Sequence, residues 1–133
     1  PLRGLIEGSL GPRFPDMSQP YKRSIIDKAL QIANEVDVKC HKGVYVAVSG
    51  PNLETKAEYK YLRLIGADAV GMSTVPEVIV ANHAGLPVFA ISVLTDEGFP
   101  EDLQPFSLDE ILEAAAKAEP KMTEILIRLI AEL

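Results

Sequence analysis

The sequence contains a single cysteine among its 133 residues, so the chain cannot form an internal disulfide bond. A lone thiol suits a reducing compartment, and we therefore expect a cytoplasmic protein. The adjacent residues Cys40 and His41 are not followed by a second pair of ligands at the spacing of a zinc site. The sequence accordingly predicts no bound metal ion.

No apolar run approaches the roughly 20 residues needed to cross a bilayer. The net charge is −6 and the basic residues are not clustered, so neither nucleic acid nor a membrane is an expected partner. The chain begins at Pro1 without an initiator Met or a signal-peptide pattern, which we interpret as a cut within a longer protein. The hydrophobic fraction is 47%, enough for the core of one compact domain.

Seven segments have the apolar spacing of a helix or a strand. In chain order we predict a helix over 19–36, a strand over 43–49, a helix over 55–65, a strand over 67–72, a helix over 75–84, a strand over 87–93 and a helix over 107–133. This alternation predicts an α/β fold with right-handed crossovers and a parallel sheet covered by helices on both faces.

Three segments have the capping-box pattern, in which a hydroxyl and a carboxylate three residues later satisfy free N–H groups at the start of a helix. They are Thr55 with Glu58, Thr74 with Glu77, and Ser107 with Glu110. Ser18 is expected to cap the first helix, and Pro120 is expected to kink or split the last one.

Polar residues follow the predicted strands at the points where the strands end, over 50–55, 72–74 and 95–96. In open α/β sheets, ligands bind beyond the carboxyl ends of the strands. Ser73 lies beside a helix start, where free N–H groups and the helix dipole favour an anion, and it is the best placed hydroxyl for a phosphate oxygen. The alternative is that Ser73 and Thr74 only cap the helix.

Several other polar or aromatic residues have both a functional and a structural interpretation. Glu54 could accept hydrogen bonds from a heterocyclic N–H, or it could be a solvated loop residue. Asp96 could likewise bind a ligand, or it could be a turn residue. His83 is expected to be a helix-end residue rather than a catalyst. Phe14 could pack within its own loop or reach a partner. These patterns predict an anion site and name no substrate.

Three stretches of the sequence resemble the trimeric purine nucleoside phosphorylases. They are residues 11–18 (GPRFPDMS), 48–58 (VSGPNLETKAE) and 66–78 (GADAVGMSTVPEV). The resemblance covers essentially the whole chain, and methylthioadenosine phosphorylases share the pattern in a modified form. It implies that residues 1–133 are the C-terminal half of a single nucleoside phosphorylase domain, with a mixed, largely parallel sheet flanked by helices.

The resemblance also implies an activity. Members of this family are homotrimers of purine salvage with sites at subunit interfaces, and they use inorganic phosphate as a co-substrate without a metal or an organic cofactor. They transfer the ribosyl group of a purine (2′-deoxy)ribonucleoside to phosphate, with inversion at the sugar carbon. The transition state resembles an oxocarbenium ion with an anionic purine leaving, so the protein must stabilise negative charge on the base and hold phosphate against the sugar.

The family pattern implies roles for particular residues of this chain. Glu54 would accept the N1–H of hypoxanthine or guanine. The remaining matches are Leu53, which packs on the base, Val70 and Met72, which form the floor of the base and ribose pocket, Ser73, which binds phosphate, and Phe14, which closes the ribose pocket of the neighbouring subunit.

Two positions depart from the commonest form of the pattern. Asp96 stands where many members have Asn, and an ionised Asp cannot donate to purine N7. A protonated Asp can, and burial favours that form, so we predict that Asp96 acts as a neutral acid at N7. Leu108 stands where many members have a His that contacts the ribose 5′-hydroxyl, and an apolar residue here resembles the methylthioadenosine enzymes.

Glu54 carries most weight for substrate preference, because an ionised carboxylate would repel the N1 lone pair of adenine. We therefore expect inosine and guanosine to be preferred to adenosine or methylthioadenosine. The alternatives are a methylthioadenosine phosphorylase, a nucleoside-binding module without catalysis, and a fragment that forms only trimer contacts. Since the family's other phosphate ligands lie in the N-terminal half, we expect the isolated chain to be inactive.

Overall fold

A computed structural model describes residues 1–4, 7–99, 101–105 and 107–133 of the chain. A short 3-10 turn over Gly8–Leu10 precedes the main elements. These are α1 (Arg23–Glu35), β1 (Tyr45–Ala47), α2 (Lys56–Leu64), β2 (Ala69–Gly71), α3 (Val75–His83) and α4 (Leu108–Ala131). The four predicted helices and the first two predicted strands are confirmed, although the strands are shorter than expected.

The two strands are parallel, as the alternation of elements predicted. Tyr45 pairs with Ala69, and Ala47 pairs with Gly71. The ladder extends by one bond, in which the Val48 N–H donates to the Gly71 carbonyl at 2.9 Å. The α/β class is therefore confirmed as a small parallel sheet flanked by helices.

The predicted strand over 87–93 is not a strand among the residues that the structure describes. In this segment the Val88 carbonyl accepts a backbone hydrogen bond from the Lys22 N–H at 2.8 Å. A strand requires a ladder of successive bonds to a neighbour, and apolar β-branched composition alone does not supply that neighbour.

The hydrophobic core lies between α1 and α4. Ala29, Ile32 and Ala33 from α1 pack against Ile125 and Leu129 from α4. Ile32 is fully buried, and burying a side chain of this kind contributes about 1.5–3 kcal/mol relative to leaving it exposed. The helical spacing of apolar residues places them on one face of each helix, which is why these two helices pair across the chain.

The helix starts confirm one predicted cap fully and another in part. The Thr55 hydroxyl accepts from the Glu58 N–H at 3.2 Å, and the Glu58 carboxylate accepts from the Thr55 N–H at 2.7 Å, so this capping box is complete. The Ser107 hydroxyl accepts from the Glu110 N–H at 3.4 Å, which is half of the predicted box. Both caps stabilise the first turn of their helices.

Two other cap predictions are wrong. Ser18 does not begin α1, because its N–H and hydroxyl both donate to the Asp16 carboxylate in a local turn and the helix starts five residues later at Arg23. Thr74 precedes α3 but makes no side-chain capping bond, and its φ of 72° departs from the extended conformation typical of a cap residue. Pro120 was expected to kink or split the last helix. It does not split the helix, because α4 continues through Pro120 without interruption.

Candidate functional site at the carboxyl edge of the sheet

The loops that follow β1 and β2 leave the sheet at the same edge, because the strands are parallel. They touch at Gly50 and Met72. A Cβ placed on Gly50 would lie 3.0 Å from Met72 Cε and closer still to its sulfur, and Gly50 has a φ of 59°. A residue with a side chain would be strained by this backbone conformation and would also displace Met72. Glycine at this position therefore lets the two loops meet.

Ser73 lies on this edge between β2 and α3, as predicted. Its hydroxyl oxygen is 3.2 Å from the Thr74 hydroxyl and 3.5 Å from the Tyr45 hydroxyl. Thr74, the residue in the N-cap position, makes no side-chain bond to α3, so the interpretation of Thr74 as a simple cap is wrong. Ser73 itself is exposed and sits next to the N-terminal end of a nine-residue helix. Exposed hydroxyls beside a helix N-terminus can donate to an anion.

The backbone at Thr74 is held in an unusual conformation. A φ of 72° lies in the left-handed region, which costs a residue with a branched side chain of order 1–3 kcal/mol. The Val75 N–H donates to the Ser73 carbonyl at 2.8 Å within this tight turn, and Val78 donates to the Thr74 carbonyl at 2.9 Å. Strain of this kind clusters at ligand-binding sites, because there the turn has to point particular groups at a ligand.

Glu54 and Asp96 approach each other through Tyr59. Burial raises the pKa of the Tyr59 phenol to about 12, and a hydrogen bond to the Glu54 carboxylate and the negative charges of Glu54 and Asp96 act in the same direction. Glu54 is partly buried, which argues against the interpretation of a fully solvated loop residue. The loop after β1 and the loop that carries Asp96 therefore meet at the second turn of α2.

Asp96 itself is exposed, and its carboxylate accepts the Glu97 N–H at 2.8 Å. The burial on which the neutral-acid expectation depended is therefore not found in this chain, and the turn contact favoured by the alternative is present. The neutral-acid role of Asp96 stays a prediction, because the local sequence does not indicate how much protein covers a loop.

The other predicted site residues differ in their exposure to solvent. Val70 lies in β2 and is partly buried, whereas Leu53 and Met72 remain 44% and 42% exposed. Leu108 is the first residue of α4 and is 56% exposed, and Phe14 is 87% exposed. Most of the apolar residues expected around a base and a ribose are thus open to solvent in this chain.

A cavity of about 920 Å³ lies elsewhere, between α1, α4 and the extended residues 89–94. Tyr45 and Thr74 reach its wall, but Glu54 and Ser73 lie outside it. Its volume is within the range of small-molecule pockets, which is about 300–1,000 Å³, and its lining is mainly apolar. Volume alone does not locate a site, and the polar groups that could bind a ligand converge on the sheet edge instead.

An ion pair lies at the opposite edge of the sheet, where the two strands begin. The Arg63 guanidinium lies 2.9 Å from Asp68 Oδ1, while Asp68 Oδ2 accepts the Val44 N–H at 2.9 Å. The backbone donor from Val44 and, secondarily, the Arg63 guanidinium lower the pKa of Asp68. Asp68 thus connects the end of α2 to the residue that precedes β1.

Two tyrosines near the site were not predicted from the sequence. Tyr45 was assigned to a strand and Tyr59 to a helix, and neither was named as a site residue. The available signal was the position of Tyr59 five residues after Glu54 and one helical turn beyond the Thr55 cap, a spacing that returns its side chain towards the helix start.

A model of the phosphorylase superfamily matches residues 1–131. The chain belongs to this superfamily. Purine nucleoside phosphorylase 1 from Bacillus subtilis is 45% identical over 132 residues, which is 99% of this chain and 49% of that protein. Purine nucleoside phosphorylase from Bos taurus is 43% identical over 137 residues, which is 100% of this chain and 47% of that protein.

The crystal structure of Schistosoma mansoni purine nucleoside phosphorylase in complex with inosine has a TM-score of 0.92 to this chain at 38% identity. The superposition covers 99% of this chain and 48% of that one. The chain therefore spans about half the length of the superfamily members that it matches.

Three further observations concern metal ions, the single cysteine and membrane spans. In the described parts of the chain, no three His, Cys, Asp or Glu side chains lie close enough to hold a metal ion. Cys40 is a free, partly buried thiol that packs against the α1–α4 core. No helix in those parts is long and apolar enough to span a bilayer.

Proposed function

We propose that this chain is the C-terminal half of a purine nucleoside phosphorylase, which cleaves purine (2′-deoxy)ribonucleosides with inorganic phosphate to give the free base and (deoxy)ribose 1-phosphate. The observation that carries the proposal is the meeting of the Glu54 loop and the Ser73 turn at one edge of the parallel sheet, through Gly50 and Met72. Relatives that bear this name match the whole chain, and one was solved with inosine.

In this proposal the base lies against Glu54. The carboxylate accepts the N1–H of hypoxanthine or guanine, while the side chains of Leu53, Val70 and Met72 supply apolar contact to the base and the ribose. These interactions orient the nucleoside so that its glycosidic bond faces the Ser73 turn. Orientation of this kind lowers the barrier because the reactants no longer lose freedom in the transition state.

Phosphate lies against the Ser73 hydroxyl near the N-terminus of α3. A phosphate oxygen attacks the anomeric carbon from the face opposite the base, and the electron pair of the breaking bond leaves with the purine. The sugar carbon is inverted, and the developing charge on the purine is stabilised at N7 by a donor, for which Asp96 in its protonated form is the candidate. No metal or organic cofactor takes part, because phosphate is both nucleophile and co-substrate.

We further propose a cytoplasmic homotrimer that functions in purine salvage and binds neither nucleic acid nor membrane. Phe14 supports the trimer: an aromatic side chain left 87% exposed on a loop is suited to a neighbouring subunit, where it would close the ribose pocket. The chain on its own would then lack both that neighbour and the phosphate ligands of the other half, and it would be inactive.

Glu54 also leads us to propose a preference for inosine and guanosine. An ionised carboxylate accepts from N1–H of a 6-oxopurine and repels the lone pair at N1 of adenine. Leu108 favours the second candidate, methylthioadenosine phosphorylase, because an exposed leucine at the start of α4 suits an apolar 5′ substituent better than a hydroxyl. We give Glu54 more weight than Leu108, because an unfavourable contact discriminates between substrates more strongly than a missing favourable one.

The test is a phosphate-dependent assay of the full-length enzyme that contains this chain, with inosine, guanosine, adenosine and methylthioadenosine. We expect Glu54→Gln to lower kcat/KM for inosine about 10- to 100-fold, the cost of losing a hydrogen bond to a charged group, with a much smaller effect on adenosine. Glu113→Gln, on the exposed face of α4, is the matched control and should leave both values unchanged.

Each alternative predicts a different result in that assay. Faster turnover of methylthioadenosine than of inosine would favour the second candidate. A binding module would bind inosine without releasing hypoxanthine, and a fragment that only assembles trimers would bind neither inosine nor phosphate.

A further inference from the structure

Tyr59 occupies a place that its helix and the preceding loop define together. Glu54 immediately precedes Thr55, and the complete capping box between Thr55 and Glu58 fixes the direction in which α2 leaves this loop. The Tyr59 N–H donates to the Thr55 carbonyl at 3.0 Å, so Tyr59 lies one turn above the cap. Its side chain points back towards the start of the helix, where Glu54 lies.

The Tyr59 ring also packs against the backbone at Gly98. A Cβ on Gly98 would lie 2.6 Å from Tyr59 Cδ1 and 2.8 Å from its Cζ, so only a glycine allows this backbone to lie against the ring. Gly98 is two residues after Asp96, and the Asp96 charge acts on the same phenol. The ring therefore packs against the loop that carries Asp96, one helical turn beyond the loop that carries Glu54.

We propose that Tyr59 is a positioning residue for Glu54: its hydroxyl donates to the Glu54 carboxylate, and its ring, packed on Gly98, sets the distance between that carboxylate and the Asp96 loop. The proposal rests on the proposed function, because it assigns Glu54 to the purine. It adds a residue inside a helix to a site otherwise built from loops.

The chemical consequence concerns which purine is accepted. A phenol that donates to Glu54 requires the carboxylate to act as an acceptor, and an acceptor matches the N1–H of hypoxanthine or guanine. The phenol retains its proton throughout the physiological range, since its pKa is raised to about 12 by burial and by the Glu54 carboxylate. For adenine N1, Glu54 would have to be a donor, and it would then offer Tyr59 a poorer acceptor. Tyr59 thus reinforces the selection of 6-oxopurines.

The experiment compares Tyr59→Phe with the unmutated full-length enzyme in the phosphorolysis of inosine and adenosine. We expect kcat/KM for inosine to fall about 10-fold, mainly through KM, while the value for adenosine changes less than twofold, because only the inosine complex uses the oriented acceptor. The KM for phosphate should not change. Tyr61→Phe is the matched control, since Tyr61 lies on the same helix and is 61% exposed.

Two further measurements keep the test decisive. Gly98→Ala pushes the ring from its other face and should cause the same selective loss for inosine, even if Tyr59→Phe folds poorly. In a double-mutant cycle, Tyr59→Phe should lower kcat/KM for inosine less than twofold once Glu54 has been replaced by Gln. The tyrosine hydroxyl then has no carboxylate to orient.

An equal loss for inosine and adenosine in both variants, or independent effects of Tyr59→Phe and Glu54→Gln, would overturn the positioning role while leaving the proposed function intact. Absence of inosine phosphorolysis in the unmutated enzyme would overturn the proposed function and, with it, this role.

Discussion

The Ser73 hydroxyl lies 3.5 Å from the hydroxyl of Tyr45, a residue of the neighbouring strand. Tyr45 reaches this position because its ring lies over Gly71, where a Cβ would come within 2.9 Å of the ring carbon that bears the hydroxyl. With Thr74, 3.2 Å from Ser73, three hydroxyl groups converge beside the N-terminus of α3. Such a cluster can rearrange its donors around an anion without moving the backbone.

This cluster predicts the effect of removing the Ser73 hydroxyl. In the full-length enzyme, Ser73→Ala should raise the KM for phosphate about 10-fold or more, the loss expected for one hydrogen bond to a charged group, and should leave the KM for inosine nearly unchanged. Initial rates at varied phosphate and fixed inosine measure the effect. Ser24→Ala, an exposed serine in α1, is the control. A phosphate KM that does not move would remove Ser73 from the anion site.

Asp96 provides a prediction about catalysis. If its carboxyl donates to purine N7 as a neutral acid, Asp96→Asn should lower kcat for inosine about 10-fold, less than the full value of a general acid because the amide still donates. Initial rates of inosine phosphorolysis by the two full-length enzymes are the measurement, and an unchanged kcat would disprove the neutral-acid role.

The capping box at the start of α2 predicts a change in stability. Thr55→Ala removes the acceptor of the Glu58 N–H and should lower the free energy of unfolding by about 1 kcal/mol, whereas Thr55→Ser, which keeps the hydroxyl, should cost only a fraction of that. Urea unfolding followed by circular dichroism measures both. Equal destabilisation by Ala and Ser would show that the threonine methyl group, and not the cap, is responsible.

Asp68 predicts how stability depends on acid. Its pKa in the folded chain lies below the ordinary aspartate value of 3.8, because the Val44 N–H and the Arg63 guanidinium favour the ionised form. A carboxyl with a lowered folded pKa stabilises the protein fully above its unfolded pKa, and that contribution disappears as the pH falls through the folded value. The difference in unfolding free energy between the wild type and Asp68→Asn should therefore be constant near neutrality and shrink below pH 3.8. A difference that persists undiminished in acid would contradict this account.

The helices of this fold were predictable because their signals are local. A run of apolar residues at helical spacing and a Thr–Glu pair three residues apart depend only on neighbours within one or two turns, and α2 with its box was predicted almost to the residue. The same pattern failed at Thr74, where the tight turn after β2 imposes a φ of 72° and removes the cap. The strand predicted over 87–93 was wrong for a related reason, because a strand depends on a hydrogen-bonded partner that its own sequence does not contain.

The sequence by itself determined the α/β alternation, the parallel direction of the strands and the family motifs, and these place Glu54 and Ser73 beyond the strand ends. Only the tertiary structure decided that the Tyr59 ring packs against Gly98, that Met72 contacts Gly50 and that Asp96 is exposed. Periodicity and capping are set by residues a few positions apart. Contacts between loops some 20 to 40 positions apart in the chain depend on how the connecting elements pack, which no local pattern specifies.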